Sequence, residues 1–80
     1  MFKNKNGGRN NISGENIRAL RLAYPEKLSQ RALADKMQLI GIDVDKNAIQ
    51  RIECGKRFVT DIELGAFAEI FGVSIDELIK

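Results

Sequence analysis

Eighty residues, 44% hydrophobic and 30% charged, fit one soluble globular domain, because a chain of this length rarely encloses two cores. Apolar runs stay at a few residues and no apolar stretch of signal-peptide length opens the chain, so neither a membrane span nor a secretory leader is expected. A single cysteine, Cys54, and the lack of histidine leave no internal disulfide, no zinc ligand set and no histidine-based catalysis. With no cofactor motif either, an enzyme is disfavoured. In a reducing cytoplasm Cys54 reads as an incidental thiol rather than a redox switch.

The net charge of +2 conceals an asymmetry. Residues 1–57 carry 12 of the 13 basic side chains against 6 acids, whereas residues 58–80 carry Asp61, Glu63, Glu69, Asp76 and Glu77 against Lys80 alone. A basic body with an acidic end points to a polyanion on one face, although charge blocks in short chains are also ordinary solvated surface.

Residues 1–11 hold four Asn and two Gly with Lys3, Lys5 and Arg9, without periodicity, and read as a flexible basic arm preceding a domain over residues 12–80. From there one pattern recurs five times: an apolar residue, a capping residue, and a second apolar residue four positions past the cap. It is written as Ile12-Ser13…Ile17, Leu28-Ser29…Leu33, Val44-Asp45…Ile49, Val59-Thr60…Leu64 and Val73-Ser74…Leu78. This is the hydrophobic staple around a helix N-cap, and Thr60 with Glu63 and Ser74 with Glu77 add capping boxes. Pro25 ends the first helix near Tyr24, and Gly41, Gly55 and Gly72 stand where the next three need a left-handed residue. The spacing predicts helices over 14–24, 30–40, 46–54, 61–71 and 75–79. The chain is all-α.

At about 100° per residue, the buried stripes are Ile17, Leu20 and Tyr24 in the first helix and Leu33, Met37 and Ile40, edged by Ala34, in the second. Leu64, Phe67, Ala68 and Phe71 form that of the fourth, and Met37 is read as gap-filling core. In the third helix Ala48, Ile49 and Ile52 face inward, and Asn47 and Gln50, flanked by Lys46 and Arg51, face outward. Arg and Lys donate to guanine, and Asn and Gln pair with adenine. Lys56 and Arg57 follow in a loop able to hold a phosphate strand. A polar outward face is equally what any surface helix shows.

Leu28-Ser29-Gln30-Arg31-Ala32-Leu33-Ala34, Ile49-Gln50-Arg51-Ile52-Glu53-Cys54-Gly55-Lys56-Arg57 and Phe71-Gly72-Val73-Ser74-Ile75-Asp76-Glu77-Leu78 occur in that order. Together these blocks resemble the Cro/CI-type, or XRE, helix-turn-helix family of bacterial and phage transcriptional regulators. The resemblance covers residues 14–79 and implies a lambda-repressor-like fold of five helices. Helices two and three would be the helix-turn-helix, the third entering the major groove of double-stranded DNA. It implies base contacts from Lys46, Asn47 and Arg51, with Gln50 beside them, and phosphate contacts from Ser29, Gln30, Lys56 and Arg57. It also implies an ion pair between Arg21 and Glu53. The wheel supports a paired Arg21 independently, about 70° from the centre of its helix's buried stripe. Arg18 reads as more exposed, ordinary surface.

The function so implied is sequence-specific DNA binding by a transcriptional regulator, a repressor, acting as a homodimer on a palindromic operator. The acidic, apolar C-terminal helix is the first place to look for the dimer interface. No small-molecule ligand or membrane partner is implied, and the chain ends too soon after the fifth helix for a sensing domain. A protein-interaction module of the same fold, antitoxin-like or adaptor, is the alternative. The sequence departs from the family in a longer turn at Tyr24-Pro25-Glu26-Lys27. It also places Ile49 nineteen positions after Gln30, about five more than usual. A second helix longer by one turn, followed by a longer connection at Ile42-Asp43-Val44, accounts for the difference. Asp43 and Asp45 would repel phosphate there unless they cap the third helix.

Overall fold

A computed structural model describes residues 8–80, which form five helices and no strand: α1 Gly14–Ala23, α2 Gln30–Leu39, α3 Lys46–Glu53, α4 Asp61–Phe71 and α5 Ile75–Leu78. Four starts have the expected chemistry. The side chains of Ser29, Asp45, Thr60 and Ser74 each accept an N–H from the first turn, and the capping boxes with Glu63 and Glu77 are both formed. At the far ends Gly41, Gly55 and Gly72 have φ of 90°, 82° and 66°. There Ile42 N–H bonds to Met37 O, Lys56 to Arg51 O and Val73 to Ala68 O, so each chain reversal consumes carbonyls that the helix leaves orphaned. Local sequence thus sets both ends of most helices.

One core holds them together. Ile17, Leu33, Met37, Ile49, Ile52, Phe67 and Leu78 are fully buried, with Leu20, Tyr24, Leu64 and Phe71 packed against them at the margin. The closest helix pair is α2 against α3, with α1 across α3, so the helix-turn-helix sits on a base made by α1 and α4. Ile40 departs from its expected place. The helix ends at Leu39, and Ile40 lies in the closing turn at 40% exposure. The added length is otherwise helical: Gln38 and Leu39 continue α2, and Gln38 Nε2 donates to Val44 O across the connection.

The start of α1 also differs from expectation. Ser13 is already in the right-handed region and makes no side-chain cap, and Ile12 is 44% exposed rather than stapled to Ile17. The cap comes from Asn11, whose Oδ1 accepts Gly14 N–H at 2.7 Å. The same carboxamide donates from Nδ2 to Ile52 O (3.0 Å) and Arg57 O (2.7 Å). Its neighbours join in: Asn10 N–H reaches Gly55 O, Asn10 Nδ2 reaches Lys56 O, and the Arg9 guanidinium donates to Glu53 O.

The expected flexible arm over residues 1–11 is therefore corrected at its C-terminal end. Residues 9–11 are strapped to the end of α3 and the loop after it, because they donate to carbonyls there; residues 1–7, with Lys3 and Lys5, lie outside the described residues. Gly14 permits the close approach, since a Cβ at that position would collide with Ile52 O. Replacing Asn11 by alanine strands the buried Gly14 N–H and the part-buried Arg57 O, and leaves Ile52 O with its Gly55 N–H alone. It is expected to cost about 1–3 kcal/mol in urea denaturation, where a free arm would cost nothing measurable.

Candidate nucleic-acid interface

The eight residues of α3 divide by side. Ala48, Ile49, Ile52 and Glu53 are buried, whereas Lys46, Asn47, Gln50 and Arg51 are all exposed. Among the described residues none of those four side chains takes part in a hydrogen bond or ion pair within the chain. The helix begins on Asp45, whose Oδ1 accepts Ala48 N–H at 2.8 Å, so that carboxylate is employed as a cap. The longer connection does not cover the polar face. Val44 turns inward to 2% exposure, Ile42 lies against the core, and only Asp43 of this bend faces solvent.

The buried exception on α3 is Glu53, which holds the helix to two others. Arg21 of α1 grips its carboxylate with two parallel bonds, Nε to Oε2 at 2.6 Å and Nη2 to Oε1 at 2.9 Å. The third arm of that guanidinium donates to Leu28 O at 2.9 Å, and Gln30 Nε2 of α2 reaches Glu53 Oε1 at 3.1 Å. Both charges are nearly inaccessible, so paired geometry and satisfied donors are what make their burial tolerable. Gln30 is consequently shared: one amide hydrogen serves Glu53, and the rest of the group remains at the N-terminus of α2. Beside it Ser29 is exposed, its Oγ accepting Ala32 N–H at 2.9 Å.

The two loop cations after α3 have different fates. Lys56 is exposed and has no carboxylate in ion-pair range among the described residues. Arg57, expected beside it on phosphate, is instead committed to the fold. Its Nη1 and Nη2 donate to the two Glu63 oxygens at 3.0 Å each, while Glu63 Oε1 also accepts Thr60 N–H. These bonds to Glu63 hold the guanidinium above its ordinary pKa against the effect of burial, with the charges of Glu63 and Asp45 adding. Burial pushes the Glu63 carboxyl up, but the hydrogen bonds from Arg57 and Thr60 outweigh it and leave it lowered. The capping box was the available signal. A glutamate folded back onto the Thr60 amide stands within reach of an arginine three residues before that threonine.

Arg18, read from the sequence as ordinary surface, lines an open cleft with Gln30, Gln50, Glu53 and Cys54. It lies one turn before Arg21 on α1, which the helix period alone places on the side facing α3. A cation from α1 thus borders the polar face of α3. Cys54 is exposed at the end of that face, as its position on the wheel implies.

A helix-turn-helix family model matches residues 17–78 of the chain. The chain belongs to this family, the Cro/CI-type or XRE helix-turn-helix regulators. It is accordingly a DNA-binding protein of transcriptional regulation, and the family is not an enzymatic one. No curated protein and no solved structure matches it. The match begins after the strap, so the Arg9–Asn11 contacts lie outside the region shared with the family. Among the described residues, no helix is long and apolar enough to cross a membrane.

Two expectations follow for this frame. Arg21→Met keeps much of the side-chain volume but leaves Glu53 buried without its cation, and should cost about 3–5 kcal/mol in urea unfolding at neutral pH. Glu63 contributes stability above its ordinary pKa near 4.5, and that contribution is lost as pH falls through the lowered folded value. Glu63→Gln should therefore flatten the acid limb of the stability profile below that pH, measured by thermal unfolding across a buffer series.

Proposed function

We propose that this regulator is a sequence-specific repressor that lays α3 in the major groove of double-stranded DNA. The observation that carries the reading is the division of α3. Its apolar side is fully packed, while Lys46, Asn47, Gln50 and Arg51 stand exposed, their side chains unclaimed among the described residues. Lys46 and Arg51 offer donors to guanine, and Asn47 and Gln50 offer the paired donor and acceptor that adenine matches. The backbone is taken by Ser29 and Gln30 at the N-terminus of α2, where free amides favour an anion, and by Lys56 across the groove. Arg18 adds a phosphate contact from α1. Arg57, already neutralised, contributes none.

A homodimer on a palindromic operator in the cytoplasm completes the proposal, because a twofold pair doubles the read sequence at a fixed spacing. Phosphate contacts carry most of the affinity, so binding weakens steeply with added salt. The test is to select bound sequences from a random duplex pool and then measure variants on the winner and on a scrambled duplex. Arg51→Ala should lose about 1–3 kcal/mol on the selected site only, relaxing one base position. Lys56→Ala should weaken both duplexes alike and lower the salt slope by about 1. No enrichment from the pool would return the chain to the class of protein-interaction modules.

A further inference from the structure

The added turn of α2 builds a surface of its own. Tyr24, Lys36, Leu39, Ile40, Glu69 and Ile70 line one open groove between the ends of α1, α2 and α4. Leu39 is 86% exposed, the most of any large hydrophobic side chain among the described residues, and Ile40 stands beside it. Isolated apolar residues at a surface need no account, but here they adjoin the half-buried Tyr24 and Ile70 in one continuous patch. The groove encloses about 270 Å³ and is open, below the roughly 300–1,000 Å³ of sites that take a small molecule.

The charges at its rim decide what fits. Lys36, whose Nζ lies 5.5 Å from the centre of the Tyr24 ring, and Glu69 have no oppositely charged partner within ion-pair distance among the described residues. A patch with one cation and one anion lacking a charged partner among the described residues, and apolar side chains between them, is complementary to itself. A twofold axis through it sets each Lys36 against the Glu69 of the other copy and each Leu39 into the opposite groove. Among the other exposed apolar residues, Ile62, Ile75 and Ile79 of the C-terminal part are interspersed in sequence with Asp61, Asp76 and Glu77, so pairing that part with itself would oppose acid to acid. On the α2 wheel Lys36 lies about 100° or more from Arg31, Asp35 and Gln38, which line the cleft shared with the start of α3, Leu39 stands between the two sides, and the groove shares no lining residue with that cleft. A partner seated there leaves the polar face of α3 open.

We propose that this groove is the surface through which two copies of the chain associate. The proposal deepens the dimer named above, yet it stands on the groove and not on DNA binding. Sedimentation velocity on the 80-residue chain, without DNA, tests it over a dilution series. Wild type is expected to pass from dimer to monomer on dilution. Leu39→Glu should raise the dimer Kd by about tenfold or more while leaving the thermal melt of the diluted monomer unchanged, because an exposed residue supports no core. Lys36→Glu or Glu69→Lys alone should weaken association, and the two together should restore it. A wild type that is monomeric throughout, a Leu39→Glu protein that pairs as tightly as wild type, or a charge swap without recovery would each overturn the proposal. Arg51→Ala separates the two readings, since it should dimerise normally whatever happens to its base preference.

Discussion

A carboxylate withdrawn from water must be given its full set of donors, and meeting that demand at Glu53 positions α3. Arg21 supplies a charged two-point grip from α1 and Gln30 a neutral donor from α2. The price is a pair of buried charges that an apolar substitute could match for stability alone. What an apolar substitute lacks is direction. Two parallel hydrogen bonds fix the rotation of the α3 end about its axis, and rotation decides which side chains face outward. The ion pair therefore governs the aim of Asn47, Gln50 and Arg51 although it touches none of them.

The backbone at the same end of α3 is secured separately. Asn11 serves the start of α1 and the end of α3 with a single carboxamide, and Arg9 brings a cation to the negative end of the α3 dipole. The strap closes a contact between residues more than forty apart in sequence, so it forms only once the core has brought α1 across α3. Gly14 is needed for the same reason: the closeness of α1 to Ile52 O leaves no room for a side chain.

What was legible in the sequence was what is settled within one helical turn. The caps at Ser29, Asp45, Thr60 and Ser74, the reversals at three glycines and the inward stripe of α3 all depend on neighbours, and each was readable from spacing. Ser13 differs because the partner of the Gly14 N–H is Asn11, itself held by the end of α3 far along the chain. Ile40 differs because periodicity cannot tell the last helical residue from the first residue of the turn. Arg57 meets an acid only six residues on, but across a loop and through the capping box rather than along a helix face. Long-range contacts, helix boundaries and pairs across a loop all escape periodicity.

The inserted residues between α2 and α3 would be expected to disturb the docking of α3, yet both ends of that helix are fixed, the first by the added segment itself and the second by groups far from it. Its N-terminal end rests on buried Val44 and the Asp45 cap, with Gln38 tying Val44 O back to α2. Its C-terminal end rests on Arg21, Gln30 and the strap. A helix of eight residues spans about 12 Å, so two fixed ends leave little freedom of tilt. The extra length is absorbed without moving that helix: one part continues α2 through Gln38 and Leu39, and the rest turns through Gly41 into an inward-facing bend. Lengthening the motif thus leaves the reading helix in place and puts the novelty on the outer face of α2, opposite its core stripe, where Leu39 emerges. The polar face of α3 and the apolar groove are separable for that reason: what changed the second was kept from changing the first by the bonds at Glu53.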